Sequence, residues 1–284
     1  MALFAKSFAK INLYLEIDGK QKGYHLLDSL FYLHPTLCDE ISIEAASEFS
    51  LEVINNFSDQ KITESPGENI ISKSVNLLAE KFSLKPNIKI TLRKNIPISA
   101  GLGGGSGNAA TTILLLNQFF NLNLSWPQIY QIAEKIGSDV PFFIFCAEHK
   151  TNLALVSGRG EILRQAPIKK IDLPILLINP GISLSTKEIF TNFKLPSKPP
   201  KQIAINFSEE NFLEIIKNRK NDLEKVAKQK APKISQIISF LQTQAGCQIA
   251  RMTGSGATCF GVFDNKINLK KAKNNLKENY WFHG

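Results

Sequence analysis

The stretch Ile98–Thr112, ISAGLGGGSGNAATT, is the part of the chain whose residue types and spacing point most directly to chemistry. Gly101, Gly103, Gly104 and Gly105 are followed by Ser106, Gly107 and Asn108, and then by good helix formers. A bare glycine loop that opens a helix leaves backbone N–H groups without intrahelical acceptors at the positive end of the helix dipole. That arrangement binds phosphate. The spacing excludes two common versions. A Walker loop, Gly-x-x-x-x-Gly-Lys-Ser/Thr, needs a lysine that does not follow these glycines, and a dinucleotide fingerprint counted from Gly101 puts Ser106 where its last glycine belongs. The alternative is a flexible linker, but linkers of that kind lack periodic structure on both flanks.

Periodic structure is present here. Ile88, Ile90 and Leu92 alternate with polar residues as a half-buried strand does, and Ala109–Phe120 reads as one helix. Upstream, Ser7–Ile17 alternates as a strand and a turn is expected over Asp18–Gly23, just before Tyr24 and His25. Residues 37–53 hold further strand material, and Asn69–Phe82 is amphipathic at helical spacing. Ser125–Lys135 opens on Ser-Trp-Pro, a helix start signal. Beyond about residue 150 the pattern changes. A hairpin is expected over 153–164, a buried-type strand over Pro174–Pro180, and a proline-rich loop over 194–202. Two or three helices follow over 209–244. A second glycine turn, Thr253-Gly254-Ser255-Gly256, then leads into a strand at 258–263. Strands and helices without strict alternation predict an α+β fold in two lobes, residues 1–156 and 157–284.

Composition narrows the class. The chain has 284 residues, 43% of them apolar and 21% charged, as in soluble globular proteins. Its longest apolar run, Val140–Ala147, is too short to span a bilayer. The first residues carry Lys6 and Lys10 with no signal-peptide core, so a cytoplasmic protein with no membrane partner is expected. Cys38, Cys146, Cys247 and Cys259 lack Cys-x-x-Cys spacing and the four histidines are scattered, so no protein metal site is readable and reduced thiols are expected. The net charge of +9 attracts anions. The lysines are spread along the chain without a nucleic-acid-binding signature, so a polyanionic small substrate is favoured over nucleic acid.

Three stretches, Ala9–Leu13, Gly101–Thr112 and Met252–Gly261, form a constellation, and with them the chain resembles the small-molecule kinases that include galactokinase, homoserine kinase, mevalonate kinase and phosphomevalonate kinase. The resemblance runs in order along nearly the whole chain, through AKINLYLEIDGK, GYHLLDSLFYL, GLGGGSGNAAT, GSDVPFF, GRGEIL, NDLE and MTGSGATCFG. It implies an N-terminal ATP-binding lobe, ATP and Mg2+ as cofactors, and a small-molecule CDP-linked alcohol as substrate in the cleft between lobes. The oligomeric state expected is a monomer or weak homodimer.

Within that resemblance Asp139 is the base that accepts the hydroxyl proton, with a helix N-cap ahead of Pro141 as the competing role. Lys10 is its partner, holding the carboxylate and easing deprotonation of the attacking hydroxyl, against a plain strand-edge lysine. Asn12, two residues on along the strand, reaches the same hydroxyl or orients Asp139. Tyr24 stacks on the pyrimidine and His25 reads its edge, where the alternative is a surface turn. The family's Arg-x-Asp-Gly-Tyr-His run is here Gln21-Lys22-Gly23-Tyr24-His25, without the arginine and aspartate. Gly101, Gly103, Gly104, Gly105, Ser106 and Gly107 wrap the phosphates, and Ser106 also reaches Mg2+. Gly107 stands where relatives commonly carry a second serine. Asn69 and Lys94 match positions near the ATP nucleoside. Gly254, Ser255 and Gly256 close over the substrate, where a plain hairpin turn is the alternative. Two other readings remain: a kinase of the same family acting on another alcohol, which would not need Tyr24 and His25, and a non-catalytic nucleotide-binding sensor, against which Lys10 and Asp139 together argue.

Overall fold

The computed structural model describes residues 2–57, 69–195, 208–276 and 280–284. The proline-rich stretch expected at 194–202 falls outside these residues beyond position 195. The chain packs as two compact units, each drawing on several stretches of sequence. The first takes Met1–Lys10, Leu33–Ile98 and Gly103–Thr151; the second takes Ile11–Tyr32, Ser99–Leu102 and Asn152–Gly284. In place of the expected single cut between 156 and 157, this division is interleaved. Its physical origin is the length of β1 (Ala2–Gln21) and β2 (Tyr24–Ala45), which pair with one another. A strand of 20 residues reaches up to roughly 65 Å at about 3.3 Å per residue, far more than one small core needs, so each strand serves both units. They are joined by a tight turn with Lys22 at φ 50° and Gly23 at φ 86°, the two left-handed residues a two-residue hairpin demands. The turn is therefore shorter than the expected Asp18–Gly23.

In the first unit β3 (Ser50–Asn55) runs parallel to β4 (Ile88–Lys94), which pairs antiparallel with Glu40–Ala45 of β2. Between β3 and β4 in sequence lies α1 (Ile70–Phe82). Three further helices follow: α2 (Gly104–Phe119), α3 (Trp126–Ile136) and α4 (Val140–His149). α2 packs against α1 and α4, and it buries residues on several sides, among them Ala109, Ala110, Ile113, Leu115 and Leu116. The apolar run from Val140 to Cys146 is wholly buried on α4.

In the second unit β5 (Leu153–Gly158) pairs antiparallel with Leu27–Tyr32 of β2 and turns through Gly160 into β6 (Ile162–Gln165), as the hairpin pattern predicts. Next come β7 (Ile175–Asn179), α5 (Thr186–Asn192), α6 (Phe212–Lys217), α7 (Glu224–Lys230), α8 (Lys233–Thr243), β8 (Cys247–Met252), β9 (Cys259–Phe263), α9 (Lys266–Asn274) and β10 (Trp281–His283). The sheet runs β10-β7-β9-β8, all antiparallel. All five residues of β7 are buried: four are apolar, and the fifth, Asn179, donates its Nδ2 to Thr258 Oγ1 at 2.8 Å. Leu176, Ile178, Ile234, Ile237, Leu241 and Phe263 form the centre of this core. The four cysteines are free thiols, and among the described residues no helix is long and apolar enough to cross a membrane.

Candidate active site

The glycine run does not end before the helix; it forms the helix's first turn. α2 begins at Gly104, with Gly103 as N-cap at φ 65°, and the Gly107 N–H donates to the Gly103 carbonyl at 2.9 Å. No acidic residue occupies the first turn, which would otherwise neutralise the positive end of the dipole. The expected start at Ala109 is thus corrected to Gly104: the glycines that read as loop already form the first helical turn.

Each glycine has its own reason. At Gly103 a Cβ would stand 2.7 Å from Lys10 Cγ, and the left-handed backbone also favours glycine. At Gly104 it would meet Ile96 at 3.0 Å and Lys94 Nζ at 3.2 Å, and at Gly107 Ser7 Oγ at 2.9 Å and the Phe8 carbonyl at 3.0 Å. Gly107 is buried against the protein interior. Gly105 differs. It is exposed, and its Cβ would meet only Ile70, at 3.9 Å. A glycine inside a helix destabilises by about 0.5–1 kcal/mol relative to alanine, so packing does not account for it. Its missing side chain instead opens the first-turn N–H groups to close approach from solvent.

Lys10, on β1, is buried, and its Nζ lies 3.1 Å from Asp139 Oδ2, whose side chain is 31% exposed. Asp139 does occupy the N-cap position of α4, with Pro141 in the first turn, but its carboxylate makes no cap hydrogen bond. The residue sits where the capping alternative puts it, and the side chain goes to Lys10.

Lys94 and Asn69 are both buried and engaged within the protein. Lys94 pairs with Asp39, which is fully buried. Asp39 Oδ1 accepts the N–H groups of Asn95 at 2.8 Å and Ile96 at 2.9 Å, and its Oδ2 accepts Asn108 Nδ2 at 2.9 Å. Asn69 caps α1, its Oδ1 accepting the Ile71 N–H at 2.9 Å. Nothing local in the sequence marks Asp39, and nothing there marks Asn108, although it stands in the glycine stretch, as a partner of Asp39.

The second unit holds the remaining positions. Gly101, at φ 77°, approaches the Thr253–Gly256 turn so closely that a Cβ would lie 2.8 Å from the Gly256 carbonyl. Its glycine is thus required by backbone packing. Gly254 (φ 57°) and Gly256 (φ 93°) shape that turn. The Asn12 N–H donates to Thr253 Oγ1 at 2.8 Å, and Asn12 Oδ1 would lie 3.3 Å from a Cβ at Gly254. Ser255 Oγ is 2.8 Å from Thr186 Oγ1. A cavity of about 530 Å³ beside the turn is lined by Ser99, Gly101, Ser183, Ser185, Thr186 and Gly256.

Tyr24 is 58% exposed, with the Arg159 guanidinium 5.1 Å from its ring centroid. His25 lies 5.6 Å from Phe190 and 5.8 Å from Phe193, centroid to centroid. Burial, aided by the positive charge of Lys20, holds the His25 pKa below the ordinary histidine value. The ring is therefore neutral at neutral pH, with one donor and one acceptor nitrogen. The sequence pattern singled out neither Arg159 as the partner of Tyr24 nor Phe190 and Phe193 as partners of His25.

A glycine-opened helix with a half-open lysine–carboxylate pair suits phosphoryl transfer, and comparison with known proteins shows which family the chain joins. Residues 69–147 match the model of the GHMP kinases N terminal domain and residues 204–280 that of the GHMP kinases C terminal domain. The chain belongs to the GHMP kinases, a family of ATP-dependent phosphotransferases. It is 39% identical over 287 residues to the 4-diphosphocytidyl-2-C-methyl-D-erythritol kinase of Caldanaerobacter subterraneus subsp. tengcongensis, covering 99% of this chain and 95% of that one. It is 38% identical to the enzyme of the same name from Thermoanaerobacter pseudethanolicus, covering 98% and 93%. A crystal structure of 4-(cytidine 5'-diphospho)-2C-methyl-D-erythritol kinase superposes with a TM-score of 0.76 at 25% identity, covering 99% and 98%.

Proposed function

We propose that this chain transfers the γ-phosphoryl group of ATP to the 2-hydroxyl of 4-diphosphocytidyl-2-C-methyl-D-erythritol, giving the 2-phosphate and ADP, a step of non-mevalonate isoprenoid precursor synthesis. The observation that carries the reaction is the Lys10–Asp139 pair, at 3.1 Å and open on the aspartate side, with Lys10 running against the Gly103 cap of α2. Full-length relatives of that name carry the substrate.

In this reading the N–H groups of Gly104, Gly105 and Ser106 face the triphosphate and offset its charge, as a preorganised helix terminus does without reorganising. Asp139 accepts the proton of the 2-hydroxyl as the oxygen attacks phosphorus. Lys10 keeps the carboxylate oriented and brings positive charge beside the developing negative charge. Asn12 and the Gly254–Gly256 turn hold the alcohol, Tyr24 stacks on the cytosine, and neutral His25 pairs with its edge. Magnesium, bound with the nucleotide, supplies charge neutralisation at the phosphates. The ion would be held largely by nucleotide oxygens and water, with the Ser106 hydroxyl as the protein ligand. The setting is the cytoplasm and the working form a monomer or weak homodimer.

Coupled ADP release measured with the cytidine substrate, mevalonate and homoserine tests the proposal. Turnover confined to the cytidine substrate is expected. Equal turnover of an alcohol lacking the cytidine would move the chain to another member's reaction, and ATP binding without any turnover would make it a sensor.

A further inference from the structure

The Asn221-Asp222-Leu223-Glu224 stretch has no part in the chemistry above, yet two of its side chains, Asn221 and Glu224, reach the Met252–Gly254 segment. Asn221 is buried, and its Nδ2 donates to the carbonyls of Met252 and Gly254, each at 2.8 Å. Its Oδ1 accepts the Leu223 N–H at 3.0 Å, so the amide is used on both sides and its orientation is fixed. Glu224 Oε2 accepts the Met252 N–H at 3.0 Å, while Lys228 holds Oε1 at 2.6 Å. Asp222 ties the stretch to β1: its N–H donates to the Leu15 carbonyl at 2.8 Å, and its Oδ2 accepts the Ile17 N–H at 2.9 Å.

Met252 already pairs with Cys259 in the β8–β9 ladder, so the strand does not need these contacts to exist. What they add is direction. In a trans peptide the N–H points opposite to the carbonyl. Capturing the Gly254 carbonyl therefore turns the Ser255 N–H away from Asn221. We infer that Asn221, supported by Glu224, is a positioning residue that sets the peptide planes of the Gly254–Ser255–Gly256 turn for the phosphoryl-transfer step. This rests on the reading of that turn as substrate-contacting.

The experiment uses the full chain with Asn221→Asp, which keeps the Oδ1 acceptor and removes both donors, together with Asn221→Ser. Thermal unfolding, KM for ATP and for the cytidine substrate, and kcat per folded molecule are measured. A fall in kcat of about tenfold or more with both KM values nearly unchanged is expected, because an interaction realised in the transition state is lost. A kcat that falls only as the folded fraction falls overturns the inference. Should Asn221→Asp not fold, Asn221→Ser is judged by the same two outcomes, and Glu224→Gln, expected to lower kcat to a smaller extent, does so if neither folds. Ser255→Ala and Gly254→Ala separate the two layers. If these leave kcat intact, the turn is not in the site and the underlying reading fails. If they lower kcat while the Asn221 variants do not, the positioning role alone fails.

Discussion

Two lysine–aspartate pairs flank the start of α2, and the same chemistry serves opposite ends in them. Lys94 lies against Gly104 and Lys10 against Gly103. Asp39, partner of Lys94, is fully buried and accepts two backbone N–H groups and the Asn108 amide besides the lysine. No lone pair is left for a ligand, and water does not reach it. Asp139, partner of Lys10, keeps 31% of its side chain exposed. A saturated pair fixes the path of β4 into the glycine turn, whereas an open pair can take a proton. On the proposed reading of Asp139, access more than charge separates a structural carboxylate from a catalytic one.

The largest effect that would break this contrast comes from Lys10→Met, which keeps the stem packed against Gly103 and removes the charge. Turnover should fall by about 10²–10⁴-fold, the usual weight of positioned proton transfer, with the unfolding midpoint little changed. Steady-state kinetics beside a denaturant titration check it. Asp39→Asn should do the reverse. Leaving Lys94 buried without its counter-charge costs about 3–5 kcal/mol of stability, read from urea unfolding, while turnover per folded molecule stays near normal. Gly105→Ala sharpens the assignment of the helix start. It should raise stability by up to about 1 kcal/mol, because the site has room and the helix favours alanine. It should also weaken ATP affinity in calorimetry by about tenfold, some 1.4 kcal/mol. Unchanged affinity would remove Gly105 from the cradle.

The smallest effect concerns His25. Its depressed pKa keeps the ring neutral through the neutral range, so KM for the cytidine substrate should stay flat there. It should rise only as pH falls below 6.5 and the ring gains a proton, losing its acceptor nitrogen. A His25→Gln variant should show no such rise, and a wild-type KM that already climbs above pH 6.5 would contradict the role.

The glycine run was legible in the sequence because left-handed backbone and close approach are local demands that glycine meets. Its division of labour was not, since the contacts that fix Gly103 and Gly107 come from Lys10, Ser7 and Phe8, far away in the chain, and those at Gly104 from Lys94 and Ile96 on the strand end that precedes it. The helix start was read five residues late because glycine signals a loop wherever it stands. Asp39 sits on ordinary strand sequence 69 positions from Asn108, so the pairing of the two leaves no local mark. α5 is a 7-residue helix, too short for periodicity to announce, so Phe190 and Phe193 were not paired with His25 in advance. Alternation marks Ser7–Ile17 of β1 and, from residue 37 on, the end of β2 as strand, but not residues 24–36 of β2, and it does not say which core each half of a strand joins.

The contrast is tested most directly by turnover of Asp139→Asn at saturating ATP and cytidine substrate, with the affinity for both measured on the same preparation. The expected result is a folded protein that binds both ligands as the wild type does and turns over at least about 100-fold more slowly. Turnover within about threefold of wild type would contradict it, leaving Lys10–Asp139 as a second structural pair.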